Sequence, residues 1–197
     1  MLFKIFTIIS VILLSACGTS PKTNFYMLSA EREASSYAQD SVSVGVWKVD
    51  LPDLIDRPEI VTRTGAYTIE LADFHRWAGG LESNVSILIA DELSNNLKTG
   101  HVDVSPWSSY RNFDYQVKVH IRKFDGQLGG ESVLQGAYII LNGKGSIKIL
   151  EHTFSFKEKL KGKDYSHMAE AMSYLVVQLA EKISSSISEQ QKQNNQK

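Results

Sequence analysis

The chain has one cysteine, Cys17, so the folded part can form no internal disulfide and offers no thiol for nucleophilic or metal chemistry. Charge of one sign is also missing: 21 basic residues face 22 acidic ones, which gives no reason to expect nucleic acid or a strongly basic membrane patch. Past the N-terminus no apolar run approaches the roughly twenty residues that a spanning helix needs. Catalytic signatures are absent: there is no G-x-S-x-G elbow, no S-x-x-K, no H-E-x-x-H and no phosphate-cradling glycine loop. His75, His101, His120, His152 and His167 are scattered without an i, i+4 pair, so no metal or cofactor site is expected. Asp50, Asp53 and Asp56 lack calcium-loop spacing and sit between Pro52 and Pro58, which suits an ordinary exposed loop. Nothing here reads as an enzyme.

What is present begins at the N-terminus. Lys4 precedes an apolar stretch from Ile5 to Leu14, about half the length of a membrane span. Leu14-Ser15-Ala16-Cys17 ends that stretch and resembles a bacterial lipobox, which implies cleavage before Cys17 and acylation of its sulfur and amine. Several acyl chains, at about 0.8 kcal/mol per buried CH₂, anchor a protein stably where one chain is marginal. Gly18 follows the cysteine; an Asp there marks inner-membrane retention in enteric-type bacteria, so its absence points to the outer membrane with the domain facing the periplasm. The reading is therefore a signal peptide over 1–16, an acylated tether over 17–23, a single domain over 24–187 and a disordered polar tail over 188–197. Removing residues 1–16 takes away Lys4, which leaves 181 residues with 20 basic against 22 acidic, enough chain for one sizeable core.

Within the domain, the pattern alternates between strands and helices. Asn24 to Leu28 suits a first strand, and Val42, Val44 and Val46 alternate with small residues across Ser41 to Val49. Glu59–Arg63 and Tyr67–Leu71 flank Thr64-Gly65-Ala66 as a hairpin. Val85, Leu88, Ile89, Leu93 and Leu97 recur at helical spacing, with Ser83 expected as N-cap and Gly100 as C-terminal glycine. The second half offers a short strand at His101–Val104, then Tyr115 to Ile121 in strict alternation. A turn is expected around Asp125-Gly126 and Gly129-Gly130, where glycine supplies positive φ, with strands over Glu131–Leu141 and Ser146–Phe156. A last helix from Tyr165 to Ile187 carries the stripe Met168, Met172, Leu175, Val176, Leu179, Ile183 and Ile187, capped by Asp164 or Ser166. Strands then a helix, twice over, predicts an α+β fold: a two-layer sandwich of a mixed or mainly antiparallel sheet with two helices on one face, from a degenerate internal duplication.

Two segments carry more chemistry than the rest. Asp53 to Arg63 combines a proline-bounded loop with Arg57 and Arg63, and Leu71 to Ala78 brings Phe74, His75, Arg76 and Trp77 side by side. Arginine beside aromatics is either a cation–π stack within the domain or an interface anchor. By composition alone the packing role is favoured.

These segments also carry a resemblance. "LPDLIDRPEIVTRTG" followed by "LADFHRWAGGLESN" resembles the signature of the PqiC (YmbA-like) ABC-type transport auxiliary lipoproteins, as do Ser105-Pro106-Trp107 and the run from Asp114 to Gly126. Leu54-Ile55 and Ala78-Gly79-Gly80 depart from the usual pattern. The resemblance implies a noncatalytic outer-membrane lipoprotein of a Pqi-type lipid transport system that docks a periplasmic MCE conduit, forms a homo-oligomer and supports envelope integrity. It places Arg57, Pro58, Arg63, Phe74, His75, Arg76 and Trp77 in the family motif. The other function weighed is a lipid-binding carrier with its own apolar cavity and direct phospholipid contact.

Overall fold

The computed structural model describes residues 21–30, 42–108, 111–194 and 196. Cys17, the leader and the first part of the tether therefore lie outside the described residues. Ten elements are described: β1 (Asn24–Tyr26), β2 (Val44–Val46), β3 (Glu59–Arg63), β4 (Ile69–Trp77), α1 (Leu81–Leu97), β5 (Val102–Val104), β6 (Tyr115–Gly126), β7 (Glu131–Asn142), β8 (Lys148–Lys159) and α2 (Tyr165–Asn194). They form one mixed sheet of eight strands with both helices on one face, the α+β sandwich that the alternating patterns predict.

The sheet is organised by β6. Its twelve residues pair antiparallel with β7 from Tyr115 opposite Asn142 to Gly126 opposite Ser132, and β8 continues beyond β7. The other edge of β6 is shared. β2 pairs with its start, parallel, at Tyr115 to Val117; Asp50 bridges to His120; β3 meets its end at Gly126. Two short arms grow from that edge: β2 continues to β5, and β3 continues through β4 to β1. The molecule thus has two poles. The β3–β4 turn, the β6–β7 turn and the start of α2 lie where β6 ends; the β7–β8 turn and the β2–β5 arm lie where it begins. At 30 residues and 1.5 Å per residue, α2 is about 45 Å long and reaches from one pole to the other.

Alternation explains which faces are buried. Val117, Val119 and Ile121 on β6 and Leu134, Tyr138 and Ile140 on β7 are almost fully buried, as are all seven residues of the α2 stripe. Most polar groups taken into this core are partnered; the buried Ser132 hydroxyl is one without a hydrogen-bond partner among the described residues. Tyr138 and Ser186 share a hydrogen bond of 2.8 Å, and the Ser86 hydroxyl accepts from Val49 N–H at 3.0 Å while donating to Glu82 O.

Several boundaries differ from the sequence expectation, each for a local reason. The β2 strand is confined to Val44–Val46, after which the chain follows β6 by single bonds from Trp47 and Asp50. Asp125-Gly126 is the end of β6 rather than a turn. Of the expected turn glycines only Gly129 has positive φ (73°). Ser83 lies inside α1, whose N-cap is Gly80 at φ 85°; the Asn84 amide donates to the Gly80 and Ala78 carbonyls instead. Lys98, not Gly100, adopts the left-handed C-cap conformation. The tail expected to be disordered from residue 188 is helical through Asn194. Gln, Glu and Lys are good helix formers, and they extend a helix already fixed by its buried stripe.

Asp164 is the cap of α2, as one of the two expected residues: its carboxylate accepts from His167 N–H at 3.0 Å. That bond, followed by the His167 side chain, holds the Asp164 carboxyl below its ordinary value of 3.8. A carboxyl lowered in the folded state stabilises above its unfolded pKa, and this is lost as pH falls through the lowered one. Asp164→Asn, which keeps the cap without titrating, is expected to flatten the acid side of the stability curve, read by thermal melting below pH 4. In the sheet, a Cβ at Gly136 would run into the His120 carbonyl and the Phe154 ring. Gly136→Ala is expected to cost about 1–3 kcal/mol in urea unfolding, the usual range for overpacking.

Candidate functional site

The arm β3–β4–β1 holds the motif residues, and a register shift decides what they do. β4 pairs antiparallel with β3 as Arg63–Ile69, Thr62–Glu70 and Val61–Leu71, then shifts so that Glu59 faces Arg76. A spacing of three would put Leu71 and Phe74 on opposite faces of a regular strand. The irregularity absorbs the odd residue, so Ile69, Leu71, Phe74 and Arg76 all share the face of Val61 and Glu59. β1 adds Phe25 beside Arg76. The opposite face looks at the helices, because His75 stacks on the Tyr165 ring of α2 at 3.9 Å between centroids and Tyr26 lies 6.3 Å from the same ring.

The two faces have different chemistry. On the helix side, Trp77 is buried at 4% exposure, and its backbone N–H donates to the Pro58 carbonyl at 2.8 Å. His75 Nδ1 shares a 2.7 Å hydrogen bond with the Tyr26 hydroxyl. Burial raises the pKa values of both Tyr26 and Tyr165. On the outer side, Phe25 is 66% exposed and Phe74 39%, with Ile69 and Leu71 half-exposed. Arg57 Nε and Arg76 grip one carboxylate from two sides, at 3.1 and 3.3 Å from Glu59. Glu59 is held below the usual carboxylate range, first by its own backbone N–H and then by Arg57. Arg63 lies at the other end of β3, paired at 2.5 Å with the buried carboxylate of Asp125 on β6.

The sequence-predicted residues therefore separate. Arg57, Phe74 and Arg76 come together on the uncovered face, with Pro58 exposed beside them. Arg63 ties the arm to β6, His75 joins a tyrosine pair, and Trp77 is core. Trp77 was one candidate interface anchor, but its burial leaves no side-chain surface for a partner. Phe25 belongs to the same patch; only the parallel pairing of β1 with β4 brings it there, and no local signal marks it.

A second group lies at the opposite pole. Trp47, Trp107 and Phe113 form an edge-to-face chain, with centroids 5.1 and 4.9 Å apart, beneath Lys118 and Arg111. Gln116 accepts from the Trp47 indole at 2.8 Å and donates to the Gly143 carbonyl. The turn at Lys144 and Ile147 closes one side of an open groove of about 840 Å³. A further groove of about 870 Å³ runs along α2 beside Phe25, Met27, Tyr174 and Lys161. Among the described residues no three His, Cys, Asp or Glu side chains are grouped to hold a metal, and no helix is long and apolar enough to cross a membrane.

Residues 26–184 match the family described as the ABC-type transport auxiliary lipoprotein component. A solved uncharacterized protein is 19% identical with a TM-score of 0.70, over 85% of this chain and 99% of its own. A Xanthomonas campestris protein is 15% identical with a TM-score of 0.71, over 89% of this chain and all of its own. A PelC dodecamer from Paraburkholderia phytofirmans is more distant, at 12% identity and a TM-score of 0.45 over 76% of this chain and 92% of its own. None of the curated proteins matches the sequence.

Burial separates the aromatic residues energetically. Trp77→Ala is expected to cost about 3–5 kcal/mol in denaturant unfolding. Phe74→Ala should move the midpoint far less, because its side chain already contacts water.

Proposed function

The chain belongs to the ABC-type transport auxiliary lipoprotein components, and from that premise we propose that it is the outer-membrane, noncatalytic subunit of a Pqi-type intermembrane lipid transport system. Acylation at Cys17 would tether it, and its domain would dock the periplasmic MCE conduit and self-associate around the conduit's end. The observation that carries the docking role is the uncovered face of β3–β4–β1. There two phenylalanines and two aliphatic residues stand in water beside an Arg57–Glu59–Arg76 cluster. Exposed apolar surface rimmed by arginine is the usual composition of an interface. A two-layer sandwich with both helices on the other side leaves that face free.

The groove along α2 supports a second reading, a carrier that holds a phospholipid chain. Its volume lies in the range of small-ligand sites, about 300–1,000 Å³. Gentle purification would then bring phospholipid with the protein, at a stoichiometry lowered by filling the groove through Ala171→Trp.

In-cell crosslinking of the full-length chain, followed by affinity capture and mass spectrometry, tests the docking role. An MCE-domain protein and self-crosslinked species are expected with the unaltered chain. Phe74→Ala and Arg76→Ala should each reduce recovery several-fold while thermal melting stays nearly constant. Recovery unaffected by both substitutions would remove this face from the interface, and the absence of any MCE protein would overturn the Pqi assignment.

A further inference from the structure

A tether at Cys17 does not by itself say which pole of the domain meets the lipid; the direction of β1 does. β1 runs parallel to β4 with Asn24 beside His75, so the chain before it points back along β4 toward the β3–β4 turn. Cys17 precedes Pro21 by four residues. At no more than about 3.6 Å per residue, an anchor there keeps the bilayer within roughly 14 Å of Pro21.

The turn itself is suited to a lipid surface. Thr64-Gly65-Ala66-Tyr67-Thr68 contains no charged residue, and Tyr67 is fully exposed. Ile69 follows it half-exposed, on the outer face with Leu71. Tyrosine pairs an apolar ring with a polar hydroxyl and is enriched where headgroups meet acyl chains. The β7–β8 turn at the other pole carries Lys144 and leads into Lys148.

We propose that the β3–β4 turn at Tyr67 is the lipid contact of the domain: Tyr67 sits among the headgroups of the membrane that holds Cys17, and the Trp47–Trp107–Phe113 groove points away from it. This rests on the reading of Cys17 as acylated. The orientation leaves the Phe25–Phe74–Arg76 face lateral to the membrane, open to another protein.

Site-directed spin labelling tests it, because acylation blocks Cys17 and leaves an introduced cysteine as the single free thiol. Full-length acylated Tyr67→Cys and Lys144→Cys are labelled with a nitroxide in phosphatidylethanolamine–phosphatidylglycerol vesicles. Accessibility to oxygen is compared with accessibility to a water-soluble nickel chelate, and intact mass reports the acyl chains. The expected result is an oxygen-to-nickel ratio several-fold higher at position 67 than at 144. Equal ratios, or a higher ratio at 144, in a chain whose mass shows the acyl groups would overturn the orientation and leave the lipoprotein reading standing. A mass without acyl groups would overturn that reading and the orientation with it.

Discussion

The rest of the structure depends on the division of one edge of β6 between two partners. A twelve-residue strand paired along one side by an equally long β7 has a second side too long for either three-residue β2 or five-residue β3. Each takes one end, and the Asp50 bridge with the proline-bounded loop after it crosses between them. Backbone groups at Val117, Val119, Ile121 and Gly126 are thereby partnered without one long strand. The consequence is two short arms at opposite poles: α1 packs on β2 and β5, and Tyr165 of α2 packs on His75 of the other arm.

This division separates two kinds of surface. The β3–β4–β1 arm shows its outer face to solvent, because a two-layer sandwich covers a sheet from one side only. Its inner face is filled by Trp77, His75 and the Tyr26–Tyr165 pair, so the arm is stiff where it meets α2 and apolar where it meets water. Arg63 and Asp125 fasten it to β6 with a partly buried ion pair; its loss would leave a buried carboxylate facing the Lys123 ammonium at 3.8 Å. The β2–β5 arm carries the tryptophans and their cations instead. A molecule built this way has one pole toward which the chain before β1 points and another that faces away from it.

Much of this was legible in the amino-acid order, and the parts that were not share a cause. Strict alternation marked β6, and three- and four-residue spacing marked every buried residue of the α2 stripe, because one buried face imposes one period. Local pattern predicts a strand over Tyr67–Leu71, whereas β4 continues to Trp77. A register shift breaks period two between Leu71 and Phe74, and local pattern then resembles a connection. The cap of α1 was misplaced because Asn84 bonds backward to carbonyl groups, a role that no serine-before-helix rule anticipates. The polar tail looked unstructured because it has no apolar residue of its own; its order comes from the helix it extends.

By itself the sequence determined the elements that bury a periodic face, the α+β class and the grouping of arginine and aromatic residues into two short segments. Those properties follow from neighbours within one strand or one helical turn. Tertiary structure decided that Trp77 is core while Phe74 is surface and that Phe25 joins Arg76. It also decided that β1 runs parallel to β4, so that the chain before Asn24 points toward the turn bearing Tyr67. Each of these depends on which strand lies next to which and in what register, and pairing between residues some fifty positions apart leaves no local trace.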